Sequence, residues 1–356
     1  MKVAVIGATG LVGQKMLQVL DEQNLSIDEL IVAASEKSVG KKIIFKDKEY
    51  TLISVEQAVE EKPNIAIFSA GAEVSLQYAK KFAANGTYVI DNSSAWRRDT
   101  DIPLVVPEIN ASDITVDNHI IANPNCTTIC MLMALAPLHR RFNAKRLVIS
   151  TYQSVSGSGH KGLNQLAAEQ RGEVSDNPAY PHQIHENVIP HGGSFSDTGY
   201  TAEEEKLMFE TNKILHSDIA VTATVVRVPV YGGHSESVNV EFEQQFDIDE
   251  VRNILSNASG VTLYDNPSEN IMTLLSASKI VSYSQMEDGN EYLDGITIDQ
   301  ETLCNAMRDN KVIKTSTPAY GTIIDYFDNL FYHLNYYLKY FFLVLDYLKY
   351  FDFLLV

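Results

Sequence analysis

The residues best suited to chemistry in this chain gather around one thiol. Cys126 follows an Asn-Pro-Asn turn (Asn123, Pro124, Asn125) and precedes an apolar run from Ile129 to Leu135. Pro124 disfavours helix at Asn123, and Asn125 is a fitting N-cap, so the spacing predicts a helix that begins at the thiol. Unpaired N–H groups and the macrodipole at a helix start favour an anion, and a thiol placed there ionises more readily to the nucleophilic thiolate. The competing reading is a small buried core cysteine, and one Cys before a helix does not choose between the two. His234 comes after the pair Gly232-Gly233 at a predicted strand end, which suits a general acid/base better than a core histidine. Arg97 lies just past the end of another predicted strand, where it is a candidate anion binder or simply an exposed surface arginine.

A second chemical feature opens the chain. Lys2 to Ile6 reads as a short buried strand, and Gly7, Thr9, Gly10, Leu11, Val12 and Gly13 follow before a helical pattern through Met16, Leu17, Val19 and Leu20. Strand, glycine turn and helix in that order are what a dinucleotide fingerprint requires, although the spacing is G-x-x-G-x-x-G. The bland alternative is a glycine-rich turn with no ligand. The second strand ends in Ser35-Glu36-Lys37-Ser38. Glu36 could hold a ribose 2′-hydroxyl, whereas Lys37 between two serines looks more like a 2′-phosphate pocket, so NADP is favoured over NAD.

These groups need a scaffold. Strands at 30–34, 65–70 and 88–90 alternate with helical patterns, which predicts an α/β fold with a parallel sheet of Rossmann type. Ligands in such sheets sit beyond the carboxyl ends of the strands. After the thiol, a strand over 147–153 enters a serine- and glycine-dense loop with Ser156 and Gly157, whose backbone can approach a ligand closely. Residues 177–191 lack periodicity and read as loop. Thr201 caps a helix with Glu203, Glu204 and Glu205 in its first turn, a sufficient structural reason for those acids. A β-branched strand over 219–226 then runs into Arg227 and the glycine pair before His234.

With 356 residues, two domains are expected. The net charge of -18 counts against nucleic acid as the main partner. Three cysteines make no disulfide framework and fit a reducing cytosol, and Met1-Lys2 leads into a strand rather than a signal peptide. A cytoplasmic location without membrane attachment is therefore expected.

Taken together, the motifs GATGLVG, DNSSAWR, NPNCTTI, YQSVSGSG, TAEEEK and RVPVYGGHS, in this order across residues 1 to about 268, resemble aspartate-semialdehyde dehydrogenase. The related acyl-phosphate reductase that acts on N-acetylglutamyl phosphate shares the Cys and His logic, but the wording of the motifs fits the aspartate enzyme better. The resemblance implies NADPH-dependent reductive dephosphorylation of L-aspartyl-4-phosphate to the semialdehyde and phosphate through a thioester on Cys126. That reaction serves the biosynthesis of lysine and diaminopimelate, threonine, methionine and isoleucine. It further implies His234 as acid/base and Gln153 as the group that orients the acyl carbon. Arg227 would clamp the α-carboxylate, Glu203 the α-ammonium, and Arg97 with Lys206 the departing phosphate, with Asn125 beside the substrate. Gly7, Thr9 to Gly13, Ser35, Lys37, Ser38, Ser156 and Gly157 match cofactor contacts. The family organisation would place a dinucleotide-binding domain over 1–127 and an α+β catalytic and dimerisation domain with a large mixed sheet over 128–327, the latter pairing two subunits as a homodimer.

From about Thr273 the chain departs from the family wording. Residues 328–356 contain a repeat, Tyr337-Leu338-Lys339-Tyr340-Phe341 and Tyr347-Leu348-Lys349-Tyr350-Phe351, which reads as an aromatic and leucine-rich helix or tail. The family's nicotinamide-side residues cannot be assigned there, so a chain with a complete thiol site but a misplaced nicotinamide is the further alternative.

Overall fold

The computed structural model describes residues 1–22 and 26–263, and beyond them the backbone of four strands at 271–274, 279–282, 312–316 and 322–327. The expected tail over 328–356 lies outside the described residues. The chain divides into two compact units whose sequence boundary falls between Asn125 and Cys126.

The first unit begins with β1 (Lys2–Ile6), α1 (Leu11–Glu22), β2 (Glu29–Ala33) and the antiparallel hairpin β3 (Lys42–Phe45) and β4 (Lys48–Thr51). It continues through α2 (Val55–Glu60), β5 (Ile65–Phe68), α3 (Ala72–Ala84), β6 (Tyr88–Asp91), α4 (Pro107–Asn110) and β7 (Ile120–Ala122). Five strands form one parallel sheet in the order β2-β1-β5-β6-β7. The strands read as continuous apolar runs because they are buried along their length: Val3 to Ile6 and Ile65 to Phe68 are all in the core. Met16, Val19 and Leu20 of α1 pack into the same core as Val3 and Val5. Ser54 and Gln57 start α2 with a reciprocal capping box, bonded at 3.0 and 3.1 Å.

The glycine turn is shaped by lack of space. Gly7 has φ +91°, and a side chain there would lie 2.4 Å from the Ser69 carbonyl oxygen. A Cβ on Gly13 would stand 2.1 Å from the Gly7 carbonyl oxygen. The first turn of α1 therefore lies against the backbone of the loop after β1, and its N-terminus carries no acidic side chain.

The second unit opens with α5 (Cys126–Phe142), in which Thr127 to Ala136 are all buried. A helix apolar all round is core by necessity. Then come β8 (Ala144–Gln153), α6 (Gly159–Gln170), α7 (Ala202–Leu215), β9 (Ala220–Arg227), β10 (His234–Phe242) and α8 (Ile248–Asn257). The later strands are β11 (Thr262–Leu263), β12 (Ile271–Leu274), β13 (Lys279–Ser282), β14 (Val312–Ser316) and β15 (Thr322–Phe327). Six of these strands make the large mixed sheet β11-β14-β15-β10-β8-β9, in which β8 runs parallel to β9 and antiparallel to β10. The expected architecture of a Rossmann-type unit followed by an α+β unit with a mixed sheet is the one observed. The strand expected from Leu147 starts earlier, at Ala144, because Lys145 and Arg146 turn to solvent and their polarity hides the strand from a sequence pattern.

One acid of α7 has a structural task that the pattern only half revealed. One Glu204 oxygen accepts from both the N–H (2.7 Å) and the hydroxyl (2.8 Å) of Thr201, and the other accepts the Val225 N–H at 3.0 Å. Glu204 thus starts the helix and also satisfies a backbone donor on β9, an end strand of its sheet.

Gly13→Ala would push a methyl group into the carbonyl that it abuts. Overpacking of this kind costs about 1–3 kcal/mol, so denaturant unfolding should show a stability loss of that size.

Candidate active site

In the second unit three polar side chains stand in a row across adjacent strands. Gln153 pairs in register with Arg227 on one side and with His234 on the other. Each occupies the end of its strand, and all three are buried. The alternation of β8 places Gln153 on the same face as buried Leu147, Ile149 and Thr151, while Tyr152 points to the opposite face and is 40% exposed. Return bonds hold the row in place. Val228 N–H donates to the Gln153 carbonyl at 2.9 Å, and Val155 N–H to the Val230 carbonyl at 3.0 Å.

The thiol joins this row through its neighbour. α5 begins at Cys126, directly after Asn125, so the expected helix start is observed. Gln153 Nε2 donates to the Thr127 hydroxyl at 3.4 Å, which brings the first turn of α5 to the centre of the row. Cys126 is partly exposed, whereas Cys130, one turn further on, is buried. The two readings of a cysteine in this stretch therefore fall to different residues: Cys130 is the core cysteine and Cys126 is the accessible one.

His234 is buried at the start of β10 rather than lying in a loop. Its Nδ1 accepts the Ser154 N–H at 3.2 Å, which places the proton of the neutral ring on Nε2. Burial, reinforced by the Arg227 guanidinium, pushes the imidazole down to about 4, against the opposing pull of the Gly233 carbonyl and Glu203. The ring is therefore neutral at physiological pH.

Small residues keep the site open. A Cβ on Gly157 would lie 3.1 Å from Arg227 Nη1 and 3.8 Å from His234 Cε1. Ser156 follows Val155 in the same turn and its hydroxyl bonds that of Ser154 at 2.8 Å. Glu203 and Lys206 sit one turn apart on α7 and form an ion pair with each other. Gly192 was not singled out from sequence, yet it packs so closely on Glu203 that a Cβ would stand 2.7 Å from Glu203 Cβ. The pair Gly192-Gly193 was the available signal. Ile189 was also missed: it exchanges backbone bonds with Arg227 at 2.8 and 2.9 Å, a contact with no local sequence mark.

The first unit carries the remaining candidates. Ser35, Lys37 and Ser38 lie at the short turn after β2, with Glu36 in the same turn. Arg97 is 6% exposed, which removes the reading of it as a surface arginine. Its Nε donates to the Ser93 carbonyl at 3.1 Å and its Nη2 to the Asn92 carbonyl at 3.0 Å. Asp91 organises that turn by accepting the Ser93 hydroxyl (2.6 Å) and N–H (3.0 Å). Burial raises the Asp91 pKa; the Ser93 and Ser75 bonds and the Arg97 charge oppose it. Trp96, the single tryptophan, donates to the Ser75 hydroxyl at 2.8 Å. Asn125 is buried, and the Asn123 N–H donates to the Asp91 carbonyl at 2.9 Å. Among the described residues no His, Cys, Asp and Glu cluster fits a metal, and no helix is long and apolar enough to cross a membrane.

Comparison with known proteins matches residues 2–116 to the family domain described as semialdehyde dehydrogenase, NAD binding domain, and residues 135–284 to semialdehyde dehydrogenase, dimerisation domain. The chain is 48% identical over 278 residues to the aspartate-semialdehyde dehydrogenase of Aquifex aeolicus, a match spanning 76% of this chain and 82% of that one. It is 42% identical over 282 residues to the Bacillus subtilis enzyme of the same name, with the same two coverages. Among solved structures, aspartate semialdehyde dehydrogenase II from Vibrio cholerae superposes with a TM-score of 0.83 at 34% identity, covering 97% of this chain and 98% of that one. A second structure of that enzyme, complexed with ASA, gives 0.82 at 34% identity with the same coverage.

The depressed imidazole yields a signed expectation. His234 favours folding fully above its unfolded pKa near 6.5, and that contribution is lost as pH falls towards about 4. Its ring resonances should titrate near 4 by NMR. In Arg227→Leu the pKa should rise, because the repelling guanidinium is gone.

Proposed function

This chain belongs to the aspartate-semialdehyde dehydrogenase family, and on that premise we propose that it reduces L-aspartyl-4-phosphate with NADPH to L-aspartate 4-semialdehyde and phosphate. The observation that carries the reading is the buried row Arg227, Gln153, His234, tied through Thr127 to the helix that starts at Cys126. In this reading an acyl-orienting amide stands between a carboxylate-binding cation and an imidazole that carries its proton on Nε2, and the helix that starts at the thiol is tied to the amide through Thr127.

Each residue has a physical reason for its role. Helix-end N–H groups favour the Cys126 thiolate. The thiolate adds to the acyl carbon and the phosphate leaves with the electron pair of the broken C–O bond, so a thioester stands on Cys126. Bound NADPH supplies the hydride that reduces this thioester. Neutral His234 donates a hydrogen bond from Nε2–H to the oxygen that becomes negative at that moment, and collapse of that oxyanion expels the thiolate and forms the aldehyde. Arg227 suits the planar α-carboxylate as a two-pronged donor, and Glu203 suits the α-ammonium. Arg97 and Lys206 are the cations for the departing phosphate, and Asn125 flanks the substrate.

The first unit fits a nicotinamide dinucleotide. The crowding at Gly7 and Gly13 leaves space only for backbone, and the acid-free start of α1 suits a diphosphate. Thr9 to Val12 line that turn, Ser35, Lys37 and Ser38 would take the 2′-phosphate of NADP, and Ser156 with Gly157 would approach the cofactor from the loop after β8. The outward face of the mixed sheet, where Tyr152 is exposed, supports pairing of two copies as a homodimer. The setting is the biosynthesis of amino acids derived from aspartate, in the cytoplasm.

Cys126→Ala should abolish phosphate-dependent NADP reduction by aspartate semialdehyde and still bind NADPH, followed by Trp96 fluorescence. Substantial turnover in that variant would rule out the covalent route, and activity with N-acetylglutamate semialdehyde in place of the aspartate compound would reassign the substrate. His234→Asn should lower kcat by about 10²–10⁴ with little change in KM.

A further inference from the structure

One stretch of chain reaches both residues assigned to the amino-acid head of the substrate. Residues 177–194 form no helix and no extended ladder, yet they are fastened at both ends. At the far end Ile189 exchanges two backbone bonds with Arg227. Three residues later the Gly192 carbonyl accepts the Glu203 N–H at 3.0 Å, and the Ser194 carbonyl accepts the Ala202 N–H at 2.9 Å. The segment 189–194 thus joins the backbone of Arg227 to the backbone of Glu203.

The near end hangs on two side chains of α6. Buried Gln165 accepts the N–H groups of Ala179 (2.8 Å) and Tyr180 (2.9 Å) on its oxygen, and its nitrogen donates to the His182 carbonyl at 3.2 Å. One Glu169 oxygen accepts the N–H groups of Ile184 (2.8 Å) and His185 (2.9 Å), while the other accepts from Gln165 Nε2 at 2.8 Å. Tyr180, Ile184 and Ile189 pack with Val155 and Leu166 in one apolar cluster. Burial works against ionising the Glu169 carboxylate, but the His185, Gln165 and Ile184 bonds outweigh it and hold its pKa below the usual carboxylate range.

We propose that Glu169, acting with Gln165, is a positioning residue for substrate recognition: by fixing the segment that joins them, it sets the spacing between Arg227 and Glu203. The inference rests on the assignment of those two residues to the α-carboxylate and α-ammonium. A segment without secondary structure depends on side chains to satisfy its backbone donors. Removing the carboxylate releases two adjacent N–H groups at Ile184 and His185, and the backbone partner of Arg227 lies only a few residues further on. The thiol, Gln153 and His234 are held by other bonds, so recognition suffers and the chemical step does not.

The test is steady-state kinetics of phosphate-dependent NADP reduction on the full chain. Glu169→Ala should raise KM for aspartate semialdehyde about tenfold while kcat and KM for phosphate stay within about twofold. Glu169→Gln keeps an oxygen that accepts both backbone N–H groups, so it should recover most of the lost KM. A folded Glu169→Ala chain with unchanged KM, or one in which kcat and every KM shift together, overturns the proposal. Gln165→Ala releases the same segment at a neighbouring point and should show the same selective rise; where Glu169→Ala does not fold, an unmoved KM in Gln165→Ala overturns it instead. Wild-type chain that does not turn over aspartate semialdehyde refutes the reading of the site, and the inference falls with it. An active wild type with unmoved variants refutes the positioning role alone.

Discussion

The hydrogen-bond ladder of β8 is the constraint on which this site depends. Parallel pairing with β9 on one side and antiparallel pairing with β10 on the other bring Arg227, Gln153 and His234 into one line, although Gln153 is far in sequence from the other two. Because side chains alternate along a strand, a slip of one residue in either pairing would turn a member of the row to the opposite face. The apolar residues that share the inward face, Leu147, Ile149, Val225 and Val238 among them, make such a slip expensive. Core packing and catalytic alignment are thus one requirement.

Electrostatics follow from that alignment. Burying an imidazole beside a guanidinium would be unfavourable if both were charged, and the structure resolves the conflict by keeping His234 neutral. A neutral ring cannot supply a positive charge to lower the thiol pKa. In the proposed mechanism the helix start therefore favours the Cys126 thiolate, and the histidine is left to hydrogen-bond the oxygen that gains charge.

Much of this was legible in the chain itself, for reasons of locality. The turn at Gly7 to Gly13, the helix start at Cys126 and the strand that ends at Gln153 are written in consecutive residues, so their chemistry could be read directly. Glu204 was read as an ordinary first-turn acid because its second task, the bond to Val225, joins residues on different elements. Burial of Arg97 was equally hidden, since it depends on the turn that Asp91 builds. Ile189 meets Arg227 through backbone bonds, and the side chains of Gln165 and Glu169 bond backbone far along the chain, contacts that no spacing rule marks. Residue types announce reacting groups; the parts that hold those groups in place are legible only once the fold is known.

The row also has a history within each molecule. Cys126 is synthesised well before Arg227 and His234, and a ribosome adding about 5–20 residues per second leaves seconds between them. Throughout that interval the segment 126–142 lacks the two strands that complete its surroundings, since both partners of β8 are synthesised after it. The nascent chain therefore carries a thiol in advance of the partners that direct it, and its exposure to oxidants or metals is greatest before the enzyme is finished.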